Sequence, residues 1–405
     1  MGGCILCKKS LKEKNHLNSK GLLSESTKSL SLEIEPDSSM SKSPSVSMDD
    51  FQPLKLVGKG AFGKVIIVRY LNNDKIYAMK ILKKEEIINR KQINHAKTER
   101  LLLEKLNHPF IVKLQFAFQD SKKLYLVTEF LQGGELFFHI RRKTCFKEST
   151  TKFYMAQIFL AIDYMHKNGY IYRDLKPENI LIDKEGYIKL TDFGLSKMIS
   201  NGLDINVRNT ICGTLDYMAP EIIKGENYNN SVDWYSFGIV LYNMLCGKSP
   251  FQSQDKTIEE FLNDFKNEIE YPENISPEAK DLINKLIEND PKKRLGYNSS
   301  DEIKNSDFFK KIDFDKIYNK EYKPPFRPKV SGELDLKYFD ISYTEDNNLY
   351  SEDFDENKEI KEKDNNNEEK YKIQETITAF EGFSFCKEDD KGKNSDDEDD
   401  DDFYN

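Results

Sequence analysis

The chain has 405 residues, a net charge of −9 and a hydrophobic fraction of 38%. No run of about eighteen apolar residues occurs, so no transmembrane helix is expected. Six scattered cysteines with a single C-x-x-C pair exclude a disulfide framework and leave a zinc site without its second half. They fit a reducing compartment. The charge is uneven: residues 331–405 hold 9 Lys against 26 Asp and Glu, a net of −17, which leaves +8 on residues 1–330. A basic body with an acidic end says little about partners through its whole-chain balance.

From Met1 to Asp50 the chain is rich in Ser, Lys and Glu and poor in apolar residues. Such a segment cannot offset its ordering entropy, so a disordered arm is expected. The first seven residues, Met1-Gly2-Gly3-Cys4-Ile5-Leu6-Cys7, stand apart. Gly2 is the acceptor position for myristoylation, and Cys4 and Cys7 are candidates for palmitoylation. One acyl chain binds only marginally, and lysines 8, 9, 12, 14 and 20 would favour an anionic membrane surface. Leu6 stands where the consensus asks for Ser or Thr, so an unmodified start is the competing reading.

Val57-Gly58-Lys59-Gly60-Ala61-Phe62-Gly63-Lys64-Val65 follows. A lone G-x-G-x-x-G is weak, because dinucleotide folds share it. Here the glycines join two strand-like runs instead of opening a helix, so they read as a hairpin turn whose backbone can approach phosphates. Tyr77-Ala78-Met79-Lys80-Ile81-Leu82 is a strand with Lys80 among apolar neighbours, which assigns Lys80 to phosphate. A helical run from about Glu85 to Lys105 offers Glu99 as its carboxylate partner. Leu124 to Leu131 reads as a buried strand passing into a linker.

After a helix over Thr151–His166 comes Tyr172-Arg173-Asp174-Leu175-Lys176-Pro177-Glu178-Asn179, then two short strands around Asp183-Lys184-Glu185-Gly186, then Asp192-Phe193-Gly194. A hairpin brings its ends together, so Asp174, Lys176, Asn179 and Asp192 converge. Phosphoryl transfer needs an aimed hydroxyl, neutralised phosphate charge and held metal ions. Asp174 suits the base, Lys176 the developing charge, and Asn179 and Asp192 offer hard oxygens for Mg²⁺. Alone, each Asp would read as a turn or N-cap residue. Met198–Arg208 is loop-like. Val232–Tyr242 is apolar nearly all round, as a buried helix is. Three Phe return at Phe380, Phe383 and Phe385, before the acidic run Asp396–Asp402.

The YRDLKPEN and DFG stretches resemble the catalytic loop and metal motif of protein kinases, in the form of the AGC group of serine/threonine kinases, which includes protein kinase B and the ribosomal-protein kinases. The resemblance runs from about Phe51 to Phe385. It implies a bilobal α+β fold: a disordered arm over 1–50, a kinase domain over 51–308, an AGC-type tail over 309–386 and an acidic end over 387–405. It implies an enzyme using ATP and Mg²⁺, with Glu99 pairing Lys80. Val65, Ala78 and Leu181 would sandwich adenine, and Glu129 and Leu131 would offer backbone groups. Glu135 and Glu178 would bind arginines upstream of the target Ser or Thr, with Asp216 near the peptide path. Asn243 stands where the family usually has Glu, so one arginine preference is expected to be weaker. Thr210 and Ser384 would be regulatory phosphosites, Thr210 pinned by Arg173, Lys197 and His95 and modified by an upstream kinase of phosphoinositide-dependent type. Asp233 would hold the catalytic loop, and Glu221 would pair with Arg294. A monomeric cytoplasmic enzyme, membrane-associated through any acylation and without nucleic acid, is expected. A nucleotide-binding pseudokinase or scaffold is the rival reading, and a lipid kinase a weaker one.

Overall fold

The computed structural model describes residues 46–60, 63–198, 214–345 and 378–387. Its small lobe is an antiparallel sheet built from β1 (Phe51–Lys59), β2 (Gly63–Tyr70), β3 (Ile76–Lys83), β4 (Leu114–Gln119) and β5 (Lys123–Glu129). Alternation of side chains splits this sheet into two faces. Ile66, Val68, Tyr70, Met79 and Val127 join an aromatic cluster on one face, where the Tyr70 and Phe116 rings lie 4.7 Å apart. Val65, Lys80, Ala78 and Thr128 share the other face by register: Val65 pairs with Lys80 and Ala78 with Thr128.

The helical run expected over Glu85–Lys105 is two helices, α1 (Lys84–Asn89) and α2 (Ile93–Lys105). The polar stretch Arg90-Lys91-Gln92 ends α1. Lys91 takes a left-handed φ of 55°, and the Gln92 N–H reaches back 2.8 Å to the Ile87 carbonyl. That six-to-one closure satisfies carbonyls a continuing helix would have used, and it turns the chain.

The large lobe is mainly helical. It holds α3 (Leu136–Lys143) and α4 (Glu148–Lys167), then the short strands β6 (Tyr170–Ile171), β7 (Ile180–Ile182), β8 (Ile188–Leu190) and β9 (Lys197–Met198). Beyond them come α5 (Pro220–Ile223), α6 (Ser231–Cys246), α7 (Ile258–Asp264), α8 (Pro277–Leu286), α9 (Asp301–Lys304) and α10 (Phe314–Tyr318). β7 and β8 form the expected hairpin, and β6 pairs with β9. α6 is buried from Ser231 to Leu245, as its all-round apolarity requires. A buried Arg294–Glu221 pair, bidentate at 2.6 and 3.0 Å, ties α5 to the turn after α8. Removing one partner would leave an unpaired buried charge, a cost of about 3–5 kcal/mol.

The tail returns to the small lobe. α11 (Ile341–Thr344) packs on β1, and β10 (Phe385–Cys386) adds to the free edge of β4, giving the order β1-β2-β3-β5-β4-β10. Phe380 and Phe383 are buried in one cluster with Ile87 and Leu124, against which Ile88 and Ile93 pack. Each buried ring is worth roughly 1.5–3 kcal/mol. Arg100 on α2 donates to the Phe383 and Ser384 carbonyls at 3.0 Å each, and its guanidinium lies over the Phe385 ring. The segment is thereby fixed to the helix that carries Glu99.

Candidate active site

Both halves of the site stem from strand ends. At Gly63 a Cβ would stand 1.8 Å from the Ile81 carbonyl oxygen, so the hairpin can pack on β3 only with glycine there. At Gly58 and Gly60 a Cβ would meet nothing nearer than 3.9 Å, so packing does not demand those glycines. Gly60 N–H closes the turn on Gly63 at 2.8 Å. Ala61 and Phe62 lie outside the described residues.

Lys80 on β3 makes two contacts, 2.6 Å to Glu99 on α2 and 3.2 Å to Asp192 after β8. These join three distant segments at one ammonium. Burial alone would lower the Lys80 pKa, but the Asp192 and Glu99 carboxylates outweigh it and hold the group above its ordinary value. Lys80 in turn holds the Asp192 carboxyl below the usual range. Asp192 has a left-handed φ of 59°, and Gly194 leaves room beside its Oδ1, at 3.5 Å from a would-be Cβ.

The catalytic stretch hangs from Asp233 at the start of α6. That fully buried carboxylate accepts from the Tyr172 and Arg173 N–H groups at 2.8 and 2.7 Å, and His166 Nε2 lies 2.7 Å away. Arg173 passes through φ 68°, and Asp174 emerges beside Lys176 Nζ at 2.9 Å and Asn179 Nδ2 at 2.7 Å. Burial pushes the Asp174 carboxyl up, and Lys176 pulls partly back. Asn179 spends its amide nitrogen on the Asp174 side chain and carbonyl, which turns the amide oxygen to other use.

Among the described residues no group of three or more His, Cys, Asp or Glu would hold a metal on its own. A magnesium ion bridged to phosphates needs only one or two protein oxygens. Asp192, charged and strained into place, with the Asn179 oxygen, fits that demand.

Val57, Lys59, Lys64, Val65, Ala78 and Leu181 are exposed or half-buried, while Leu131 is buried. The Glu129 side chain is occupied: its Oε1 takes the Lys189 ammonium at 2.7 Å and the Lys113 N–H at 2.9 Å. Nothing in a strand-borne Lys189 announced that anchor. Gly134 lies so close to the tail that a Cβ would stand 2.3 Å from the Tyr338 carbonyl oxygen, and the Phe339 and Phe130 rings are 5.7 Å apart.

Glu135 starts α3 and Glu178 lies in the catalytic stretch. Burial and the Glu178 charge push the Glu135 carboxyl up to about 7, although the side chain stays open to solvent. Burial also raises Glu178, whose Oε2 has no hydrogen-bond partner among the described residues. Asp216 is tied to the Ser253 N–H at 2.8 Å. Asn243 is buried, and its Oδ1 also has no partner among the described residues. His95 and Lys197 are both pushed down, by burial and then by Arg173. Gly2, Cys4, Cys7, Thr210 and the run Asp396–Asp402 lie outside the described residues.

A protein kinase domain profile matches residues 51–309. The chain is 46% identical over 304 residues to Protein kinase 2 of Dictyostelium discoideum, across 75% of this chain and 62% of that one. It is 44% identical over 313 residues to RAC-beta serine/threonine-protein kinase A of Xenopus laevis, across 76% and 63% respectively. It is 43% identical over 315 residues to serine/threonine-protein kinase YPK2/YKR2 of Saccharomyces cerevisiae, across 78% and 46%. The chain therefore spans less than two thirds of the length of these relatives. With the profile covering most of its residues, the chain belongs to the protein kinase family.

Proposed function

We propose that this chain is an active serine/threonine kinase that moves the γ-phosphoryl group of ATP to proteins carrying arginine upstream of the target hydroxyl. The carrying observation is the single ammonium of Lys80 shared by Glu99 and Asp192, with Asp174, Lys176 and Asn179 hydrogen-bonded together beside it. Magnesium bound with the nucleotide supplies charge neutralisation at the phosphates. Asn179 and Asp192 would hold it, and Lys80 would orient phosphate oxygens. Asp174 accepts the proton of the attacking hydroxyl, and its raised pKa makes it a better base. Lys176, 2.9 Å from that carboxylate, offsets charge on the transferred group. Glu135 and Glu178 take arginine side chains in bidentate fashion, which favours Arg over Lys.

Activity is switched at Thr210, by an upstream kinase of phosphoinositide-dependent type, and at Ser384. His95, Arg173 and Lys197 come from three segments, and the Arg173 charge disfavours the charged forms of the other two. A phosphate of charge about −1.5 to −2 would relieve that repulsion and couple α2 to the catalytic stretch. The same reading places the enzyme in the cytoplasm as a monomer, held at a membrane through acylation of Gly2, Cys4 or Cys7. Mass spectrometry finding an unmodified Gly2 in native protein would remove that part.

The test is transfer of labelled phosphate from Mg·ATP to an arginine-containing peptide, with Asp174→Asn as control. Nucleotide binding without transfer by the phosphorylated wild type would make the chain a scaffold instead.

A further inference from the structure

We propose that Thr144 is a phosphorylation site for the chain's own specificity, modified by a second copy of the chain. This rests on the reading of Glu135 and Glu178 as an arginine-binding pair. Arg141-Arg142-Lys143-Thr144 holds the sole Arg-Arg pair in the sequence, and Thr144 is the only Ser or Thr with arginine at both the second and third upstream positions. All four residues, and Cys145 after them, are exposed.

The backbone is poised to open. α3 has only 8 residues and ends at Thr144, whose φ of 67° and ψ of −48° lie near the rare, strained γ-turn. A β-branched residue seldom adopts positive φ, so the turn stores strain that extension releases. The Thr144 carbonyl is held against Gly247, where a Cβ would stand 1.9 Å from its oxygen, and the Phe146 N–H bonds to the Met244 carbonyl at 2.7 Å. Extension into another copy's cleft therefore unwinds the last turn of α3 and lifts this short contact from α6. A two-turn helix is marginal by itself, which keeps that opening accessible.

In the transfer, the bond from the γ-phosphorus to the ADP oxygen breaks and a bond to Thr144 Oγ1 forms. The hydroxyl proton passes to Asp174 of the acting copy, and ADP leaves. The product phosphate stands at a helix C-terminus, where the dipole opposes it. Arg141, Arg142, Lys143 and Lys147 surround it in sequence and offset that. Lys143 now lies 5.6 Å from the Phe326 ring of the tail and 5.9 Å from Phe146. A phosphate at Thr144 would compete for that ammonium.

The experiment mixes active, unlabelled full-length chain with isotopically heavy Asp174→Asn chain in Mg·ATP and maps heavy phosphopeptides. An arginine-containing peptide in the same tube reports basal activity. Phosphate on heavy Thr144 is expected. An Arg141→Ala/Arg142→Ala acceptor should lose it by about tenfold or more, the scale of one charge-assisted contact. As an active enzyme, that same variant should keep its rate on the peptide, which also shows that it folds. A labelled peptide with unmodified Thr144 overturns this inference and leaves the kinase reading standing. Equal Thr144 labelling in the double variant overturns the arginine-directed site. An unlabelled peptide overturns the kinase reading and this inference with it.

Discussion

Two charge clusters lie at opposite ends of one short stretch, and they are mirror images in sign. At Arg173, the guanidinium stands near Lys197 and near His95, whose protonation it disfavours, and among the described residues its hydrogen bonds go to neutral acceptors, the Leu195 carbonyl and the Tyr228 hydroxyl. At Glu178, a second carboxylate, Glu135, stands near, with Asp340 adding to the repulsion and Lys176 relieving part of it. The buried Glu221–Arg294 pair is the counter-example: it is balanced, bidentate and closed to water. A fold gains nothing from gathering like charges, so unbalanced clusters mark places where the missing charge arrives from elsewhere. On the proposed reading, a phosphate on the chain itself would supply it at Arg173. On the same reading, a substrate arginine would supply it at the carboxylates.

The largest expected effect lies between the clusters. Asp174→Asn should lower kcat by about 10²–10⁴-fold on an arginine peptide while leaving both clusters in place; a labelled-phosphate assay within twofold of wild type would refute the base assignment. Next is the cation side. Thr210→Ala should cut activity by about tenfold or more relative to the phosphorylated chain, the scale of one or more lost charge-assisted contacts. Full activity of that variant would leave the cation cluster without a purpose.

On the carboxylate side, Glu178→Gln should raise KM for an arginine peptide by about tenfold with little change in kcat. Its effect should vanish with a peptide lacking upstream arginine, and an equal loss on both peptides would break the assignment. The smallest effect is a pH dependence. Glu135, held up to about 7, is neutral below that pH and charged above it. KM for the arginine peptide should therefore fall a few-fold between about pH 6 and 8, and Glu135→Gln should flatten the profile. A flat wild-type profile would mean that Glu135 does not meet the arginine. Solvent at this open side chain screens part of the repulsion, which is why the effect is ranked last.

Much of the fold was legible because local rules and global fold agree. The β7–β8 hairpin, the all-round apolar α6 and the buried Phe380 and Phe383 follow from turn residues, periodicity and the cost of leaving rings in water. The break between α1 and α2 was not legible, since Arg90-Lys91-Gln92 are all good helix formers and Lys91 took the left-handed position usually filled by glycine. The Lys189–Glu129 contact was equally hidden, because a lysine on a strand is ordinarily solvent-facing.

The order of residues alone determined which chemical groups are available and how far apart along the chain they stand: one lysine in an apolar strand, two aspartates around a hairpin, a single Arg-Arg pair before a threonine. Those are matters of side-chain identity and short-range backbone preference, which neighbours in sequence dictate. Tertiary structure alone decided that Lys80 and Asp192, 112 positions apart, come within 3.2 Å. It also decided that His95, Arg173 and Lys197 crowd together and that Thr144 closes its helix at positive φ. Coulombic and desolvation energies depend on distance in space, and spatial distance is set by packing, not by position in the chain.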